Sequence, residues 1–216
     1  MSETPYNPLD TKNLGASVAE AMLERTPQLL NSLDPFDGAG IYAIYYTGGH
    51  PIYEPLAASN RNDEWRWPIY VGKAVPPGTR KANSTAQRGR WLHARLREHA
   101  ETIRLAQNLD LDDFHCRYLV VEDIWIPLGE SLLISKFSPI WNRLVDGFGN
   151  HDPGAGRYAG MRPRWDVLHP GRSWATRCQP RQETEESIGS EVAAYLRMAP
   201  PPPAHPRLLL DAVKNP

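Results

Sequence analysis

The sequence predicts an α+β fold, a small antiparallel-containing sheet flanked by helices. Two observations predict it. Apolar residues in the middle of the chain follow strand and helix periods in the order β-β-α-β-α. The first two strands follow each other directly, so we expect them to be antiparallel neighbours. A hydrophobic share of 41% and seven Trp among 216 residues supply enough apolar surface for a core.

The N-terminal part of the chain contains a predicted helix over residues 13–32, where apolar residues recur at helical spacing from Leu14 to Leu30. Pro27 is expected to kink or split this helix. Gly and Pro within residues 34–40 end it, because these residue types favour turns.

Two strands are predicted next, both rich in β-branched and aromatic residues. Gly40–Tyr46 (GIYAIYY) forms the first and residues 67–73 (WPIYVGK) form the second. The more polar stretches at 47–66 and 74–87 are interpreted as loops inserted before and after the second strand.

The second half of the core alternates helix, strand and helix. Residues 87–107 form the clearest helix, residues 114–121 a strand, and residues 127–137 a helix that accepts Pro127 in its first turn. Four residues of the first helix follow a three-to-four spacing: Leu92, Leu96, His99 and Ile103.

The domain organisation follows from these elements. The core spans residues 38–142, and residues 1–37 form an N-terminal helical arm. Residues 143–199 are rich in Gly, Pro, Arg and Trp and are interpreted as a C-terminal arm, irregular except for a helix at 183–198. Residues 200–216 form a Pro-rich tail.

Several classes of protein are disfavoured by composition. There is no run of eighteen apolar residues, so no membrane span is predicted. The first ten residues are polar and do not resemble a secretory signal. Cys116 and Cys178 lie far apart and show neither metal-ligand spacing nor a disulfide framework. A cytoplasmic protein is therefore expected.

Charge is distributed unevenly, although the net charge is only −1. Residues 66–107 hold nine basic and two acidic side chains, and residues 157–181 hold six Arg and one Asp. Two basic blocks in a near-neutral chain indicate a face that binds a polyanion. Arg-rich helices with solvated faces explain the same charges equally well.

Ionisable side chains coincide with the apolar stripes of both core helices. Arg95 and His99 are four residues apart and share a helix face, and Glu130 occupies the apolar stripe of the next helix. Buried groups of this kind need partners. A solvated Arg95 head, a structural Arg95–Glu130 pair, or a cation held by Glu130 all fit at this point. Tyr42 and Tyr70 lie in strands, and core packing alone explains each.

The order of these residues is more informative than any one of them. Gly40-Ile41-Tyr42 is followed by Tyr70-Val71-Gly72 and by three further positions in matching secondary structure: helical Arg95, helical Glu130 and then Asn142. This ordered set, within residues 38–142, resembles the GIY-YIG nuclease superfamily, with YVG in place of YIG.

The flanking sequence resembles one branch of that superfamily. The runs GAGIYAIYYTG, PIYVGKAVP, RLREH and WNRLVDGFGNHDPGAGR are similar to type II restriction endonucleases associated with the palindrome CCGCGG. The resemblance implies hydrolysis of double-stranded DNA with Mg²⁺ or Mn²⁺. It also implies a homodimer, since a palindrome suits a two-fold assembly, and a cognate DNA methyltransferase in the same system.

The resemblance also implies roles for individual residues. Tyr42 acts as the general base, His99 accepts its phenolic proton, and positive charge on Lys73 or Arg95 assists ionisation. Glu130 holds one divalent ion, Arg95 binds the scissile phosphate and Tyr70 orients water or phosphate. Asn142 keeps the local backbone in register. A single carboxylate favours a one-metal mechanism.

DNA contacts are expected from the C-terminal arm, because Arg paired with guanine is the commonest specific base contact. The candidates are Arg157, Arg162, Arg164, Arg172 and Arg177.

Three other functions remain open from the sequence. A repair or recombination nuclease on the same core would recognise DNA structure instead of sequence. A non-catalytic DNA-binding module would keep the fold without cutting. A structural protein would use Arg95 and Glu130 only as a buried pair.

Overall fold

The computed structural model describes residues 10–76, 89–154 and 156–199. In chain order the helices are α1 (Thr11–Leu23), α2 (Glu54–Ala58), α3 (Trp91–Leu105), α4 (Ile126–Phe137), α5 (Ile140–Arg143), α6 (Arg164–Leu168) and α7 (Glu185–Met198). The strands are β1 (Gln28–Leu29), β2 (Gly40–Tyr46), β3 (Tyr70–Ala74) and β4 (Phe114–Val120). The architecture is α+β, as predicted, and the core order β2-β3-α3-β4-α4 confirms the expected β-β-α-β-α sequence.

The four described strands form one antiparallel sheet in the order β1-β4-β2-β3. All seven residues of the central strand β2 are buried. Because successive side chains of a strand point to opposite faces, β2 contributes to two separate cores. Tyr42, Ile44 and Tyr46 pack with α3, whereas Ile41, Ala43 and Tyr45 pack with α1 and α4.

Helices α1 and α4 approach closely because glycine stands at their contact. A Cβ on Gly15 would lie 2.9 Å from Leu128 Cγ, and a Cβ on Gly129 would lie 2.8 Å from Val18 Cγ1. The close contact fixes α4 against β2, and with it the carboxylate of Glu130 on the same helix.

The N-terminal helix is shorter than predicted. It ends at Leu23 and does not continue to residue 32. After Pro27 the chain is extended, and β1 pairs with His115 and Cys116 of β4 before a 3-10 turn at Leu30–Ser32. Proline has no backbone N–H for a helix, and pairing with the sheet prevails over the weak helical periodicity of this segment.

The first inserted segment, 47–66, is also more ordered than expected. It contains a 3-10 turn at Pro51–Tyr53 and helix α2, with Tyr53, Leu56 and Ala57 buried. The second strand begins at Tyr70, not at residue 67; Trp67 instead donates a hydrogen bond from Nε1 to the carbonyl of Phe137. Of the expected loop at 74–87, residues 77–87 lie outside the described residues, as do residues 1–9 of the N-terminal arm and the tail at 200–216.

The segment assigned to the C-terminal arm contributes to the core on the α3 side of the sheet. Trp165 and Leu168 of α6 and Ile188 and Val192 of α7 are buried in that core. The predicted helix at 183–198 is confirmed as α7, which begins with a capping box between Thr184 and Ser187. Among the described residues no helix is both long and apolar enough to cross a bilayer.

Candidate active site

A hydrogen bond between a tyrosine and a histidine lies at the centre of the site. Tyr42 of β2 and His99 of α3 are each 1% exposed, and the distance from Tyr42 Oη to His99 Nε2 is 2.5 Å. Strand and helix place both groups in the same core because Tyr42 points to the α3 side of the sheet. The two residues are 57 positions apart in sequence, so the fold creates this contact.

The glycine of the Tyr70-Val71-Gly72 motif makes room for the phenol. Gly72 is the cross-strand partner of Tyr42, and a Cβ on it would lie 2.4 Å from Tyr42 Oη. A side chain at position 72 would displace the phenol from His99. The two motifs therefore depend on each other sterically across the β2–β3 pair.

Burial sets the protonation of this pair in the free protein. It raises the pKa of Tyr42 well above its ordinary value, helped by Tyr70 and opposed by the positive charge of Arg95. Burial, with a smaller effect of Arg95, lowers the pKa of His99 well below the ordinary histidine value. At neutral pH a protonated phenol therefore faces a neutral imidazole, and the phenol donates to Nε2 in the tautomer that carries its proton on Nδ1.

Arg95 and Tyr70 complete this side of the site. Arg95 Nη2 donates to the carbonyl of Gly149 at 2.9 Å, while its Nη1 lies 2.9 Å from Glu98 Oε2 and 2.6 Å from His151 Nε2. The Tyr70 ring lies 5.3 Å from the His99 ring, and burial raises the pKa of Tyr70. The structure thus brings Arg95 to the tyrosines, but not into a pair with Glu130.

Glu130 pairs with Lys73 instead. Its Oε2 lies 2.7 Å from Lys73 Nζ, and both side chains keep some exposure to solvent. The Glu130 charge is also close enough to raise the pKa values of Tyr42 and Tyr70, in addition to the larger effect of their burial. The carboxylate therefore belongs to the same site as the two tyrosines.

The donor set suits a hard cation that keeps most of its water. No group of three or more His, Cys, Asp or Glu in the described ranges is arranged to hold a metal. Magnesium is commonly bound by one or two carboxylates together with water and substrate phosphate oxygens. Glu130, partly exposed beside two hydroxyl groups, fits that requirement, and Lys73 is the cation it holds in this structure.

Asn142 bonds to the backbone of β3 like an additional strand. Its Oδ1 accepts from Val71 N and its Nδ2 donates to Val71 O, both at 2.8 Å. Among the described strands β3 has a single neighbour, β2, so Val71 would otherwise have no strand partner on its outer side. This contact holds the backbone between Tyr70 and Gly72.

Two residues that sequence reasoning missed cover the Tyr42–His99 pair. The Phe148 ring stacks on the His99 imidazole with centroids 4.6 Å apart and also meets Tyr70. Gly149 lies against Arg95 and Tyr70 so closely that a Cβ would be 3.0 Å from Arg95 Nη2 and from Tyr70 Oη. Both lie in the run WNRLVDGFGNHDPGAGR, whose similarity to restriction endonucleases was the available signal.

The five arginines expected to contact DNA divide by their surroundings. Arg157 is exposed, and Arg177 is exposed while contacting Asp152 at 3.0 Å and the Tyr158 ring. Arg162 donates to the carbonyl of Ala175.

Arg164 and Arg172 are engaged within the fold. Arg164 pairs with Glu183 and Glu191 and is largely covered. Arg172 is 3% exposed and uses all five of its N–H groups inside the protein, which leaves none for the expected DNA contact in this conformation.

A second tyrosine–histidine pair was not expected from the sequence. Tyr53 Oη lies 2.7 Å from His169 Nε2 and accepts from Trp141 Nε1, while His169 Nδ1 bonds to Asn108 Oδ1. All of these side chains but Asn108 are at most 2% exposed. This chain of hydrogen bonds satisfies buried polar groups inside the core, and it includes neither Arg95 nor Glu130.

Comparison with known proteins agrees with this geometry. A family model described as the Eco29kI GIY-YIG domain matches residues 34–196. The match contains Tyr42, His99 and Glu130, and it continues through α6 and nearly to the end of α7. A search of curated proteins found no match.

Proposed function

Since the chain belongs to the Eco29kI GIY-YIG domain family, a family of type II restriction endonucleases, we propose that it is a site-specific nuclease that cuts both strands of a GC-rich palindrome in double-stranded DNA. The family supports a restriction-type nuclease as the general activity. The target CCGCGG, the metal, and the roles of the residues below are parts of the proposal.

Water activation is assigned to Tyr42 and His99. Because its pKa is raised, Tyr42 is rarely present as the free phenolate, the form that could accept a proton from water. The 2.5 Å contact with His99 removes that requirement, because Tyr42 can take a proton from water while it passes its own to Nε2. The low pKa of His99 keeps the imidazole neutral and ready to accept.

Phosphate binding is assigned to Arg95 and Tyr70. The guanidinium of Arg95 is partly buried and opposes the rise that burial causes in the pKa values of both tyrosines, so its charge acts on the same small volume. A scissile phosphate beside Arg95 would replace its contacts with Glu98 and His151. It would also offset the positive charge that holds down the pKa of His99, which favours proton transfer to that ring.

Glu130 is assigned to a single Mg²⁺ or Mn²⁺. When bound, such an ion stabilises negative charge on phosphate oxygens and on the leaving oxygen. Lys73 would give up its contact with the Glu130 carboxylate to such an ion, and its charge would then be available to a phosphate. Asn142 keeps β3, with Tyr70 and Lys73, in place during this exchange.

Sequence recognition is assigned to the C-terminal arm. Arg157 and Arg177 are exposed and remain the leading candidates for guanine or phosphate contacts, followed by Arg162 and Arg164 after exchange of partners. A homodimer on DNA would present one site to each strand of the palindrome. A cognate methyltransferase would protect the host DNA.

The observation that carries the proposal is the buried Tyr42–His99 hydrogen bond beside Arg95, in a chain that matches this family. The test is incubation of plasmid DNA with wild type, Glu130→Ala and the matched surface variant Glu122→Ala, in Mg²⁺ and in EDTA. We expect discrete fragments from wild type and Glu122→Ala in Mg²⁺ only, with none from Glu130→Ala. End sequencing then identifies the site.

Other outcomes contradict parts of the proposal. Nicks or smears without preferred ends would contradict sequence specificity and favour a nuclease that recognises DNA structure. Fragments in EDTA would contradict the proposed requirement for a metal ion. Intact plasmid under all conditions would contradict the nuclease assignment itself.

A further inference from the structure

The loop between α5 and α6 touches both halves of the catalytic arrangement. Phe148 in this loop is 1% exposed and stacks on His99 with an interplanar angle of 14°. The next residue, Gly149, accepts a hydrogen bond from Arg95 through its carbonyl. This short loop therefore contacts the side chains of both Arg95 and His99.

One buried arginine holds the loop on either side of Gly149. Arg172 Nη2 donates to the carbonyl of Gly147 at 2.9 Å, and its Nη1 donates to those of Phe148 at 3.2 Å and Asn150 at 2.9 Å. The carbonyl of Gly149, which Arg172 does not contact, is the one that Arg95 uses. The loop is thus bound from one side by Arg172 and from the other by Arg95.

Arg172 is itself held rigidly. Its Nε and Nη2 donate to the two oxygens of Asp166 at 2.6 and 2.5 Å. Its guanidinium carbon lies 4.7 Å from the rings of both Trp165 and Trp174. Lys cannot reproduce this geometry, in which a planar guanidinium lies against two aromatic rings and makes a bidentate contact with a carboxylate.

Stability alone is a weak reason for such a pair. Replacing a buried ion pair by neutral residues of similar size is often neutral or stabilising. Beyond its pairing with Asp166, Arg172 donates three further hydrogen bonds to backbone carbonyls of one loop, which neutral apolar residues could not do.

We propose that Arg172 is a positioning residue for the nuclease reaction, which acts through the 147–150 loop to place Arg95 and His99. This inference rests on the proposed catalytic assignment of those two residues. The charge of Arg172 acts in the same direction as burial, since it helps to lower the pKa of His99 and so keeps the imidazole neutral.

The most direct test leaves Arg172 intact and changes Gly149. The backbone of Gly149 lies outside the positive-φ region, so alanine can adopt its backbone conformation. The added Cβ would press on the ends of the Arg95 and Tyr70 side chains. Gly149→Ala should leave the unfolding temperature unchanged or slightly raised, because alanine restricts the unfolded chain. It should lower kcat on a duplex containing the target roughly 10- to 100-fold, with KM within about threefold.

Gly49→Ala is the matched control for this change. Gly49 is an exposed loop glycine, and a Cβ placed on it would have no atom within 4 Å, so stability and kcat should both stay at the wild-type level. A Gly149→Ala protein with wild-type kcat would overturn the inference.

A second variant removes the bonds between Arg172 and the 147–150 loop without leaving a buried charge. Arg172→Met combined with Asp166→Asn keeps the region neutral, so the protein is expected to fold, as checked by thermal unfolding and by its NMR spectrum. kcat should fall about 10²-fold, since displacements of about 1 Å have that effect. Arg172→Lys should restore little of it, because one ammonium cannot serve the same acceptors.

A spectroscopic measurement separates this inference from the proposed function. The ring of Phe148 shifts the His99 Cε1–H resonance, which is assigned by its loss in His99→Gln. Both Gly149→Ala and the double variant should move that resonance, whereas Gly49→Ala should not. If the wild type proves inactive, the proposed function fails, but the His99 resonance still shows whether the loop positions the His99 ring. An unmoved resonance in both variants overturns the inference.

Discussion

Tyr42 and Tyr45 lie three residues apart on β2 and point into opposite cores. Both hydroxyls are buried and both have a partner: His99 for Tyr42, and Arg117 Nη1 at 3.2 Å for Tyr45. The strand therefore contains its own comparison between a hydroxyl in the proposed site and one outside it.

Removing each hydroxyl should separate activity from stability. Tyr42→Phe is expected to lower kcat about 10²- to 10⁴-fold, the usual contribution of a general base. Tyr45→Phe should keep kcat near wild type. Tyr42→Phe should reduce the free energy of unfolding by about 1–3 kcal/mol, because it leaves the buried imidazole of His99 without its partner. Tyr45→Phe should cost less, because Arg117 is only partly buried and keeps its bonds to the carbonyls of Arg25 and Trp65. Kinetics and urea unfolding measure the two effects, and equal kcat in both variants would contradict the role of Tyr42.

Lys73 should compete with the divalent ion for Glu130. Lys73→Met is expected to raise the affinity for Mn²⁺ roughly tenfold, since it removes both the ion pair and a repulsive charge beside the site. Isothermal titration in the absence of DNA measures this affinity. Lys136→Met, on the same helix as Glu130, is the control and should bind like wild type. Weaker binding by Lys73→Met would show that Lys73 supports the metal site and does not oppose it.

At the scale of single residues, sequence patterns predict which side chains lie together better than how they are paired. Tyr42, Arg95, His99 and Glu130 fall together in the fold as the motif order suggests. The partners Lys73 for Glu130 and Gly149 for Arg95 depend on distances between separate elements, which periodicity does not contain. The burial of Arg172 is not apparent from the sequence, because an Arg in a basic run looks the same whether it is exposed or buried.

At the scale of elements, the side chain of Asn142 takes the place of a neighbouring strand for β3. Asn142→Ala removes both hydrogen bonds to Val71 and should lower the free energy of unfolding by about 1–3 kcal/mol. Hydrogen exchange gives the specific signature: the Val71 amide should exchange faster. The amide of Ala43, in the middle of β2, is the internal control and should keep its protection. An unchanged Val71 amide would show that the contact does not hold the strand.

Element boundaries show what local pattern can and cannot predict. The predicted strand Gly40–Tyr46 matches the observed one at both ends, because its aromatic and β-branched residues suit a strand on both faces. The predicted first helix is too long because Leu29 and Leu30 continue its spacing, although Leu29 pairs with His115 of β4. Segment 51–58 gives no helical signal in the sequence because its helical turns are too short to show a period.

At the scale of the whole molecule, two buried histidines couple stability to pH. Burial lowers the pKa values of His99 and His169 well below the ordinary value, so both are neutral when folded. The unfolded chain binds protons at these positions below about pH 6.5. Their contribution to stability is therefore complete about one unit above that pH, where the unfolded chain no longer binds these protons, and it is lost as the pH falls.

The free energy of unfolding should thus decrease between about pH 7.5 and pH 5. Each such histidine contributes a slope of up to about 1.4 kcal/mol per pH unit in the part of that range between its two pKa values. His169→Gln should show a smaller slope in urea unfolding than the wild type. A steeper slope in His169→Gln would contradict neutral burial of His169.

The packing of α6 and α7 bears on how far the domain extends. Trp165 and Ile188 lie in the same core as Tyr42, and the family match reaches residue 196. A fragment limited to residues 38–142 should therefore fail to fold cooperatively, as circular dichroism on heating would show, while residues 10–199 should unfold in one transition.

The outer borders of the sheet have a consequence for how copies of this protein meet. At one border, β1 is only two residues long, and at the other Asn142 occupies both backbone groups of Val71. Within the described part of the sheet, neither border offers a long run of vacant amides and carbonyls to a second chain, which protects against fibril-like stacking in a concentrated solution. In the proposed homodimer on a palindrome, the two copies would therefore meet through helices and loops and not through a continuous sheet.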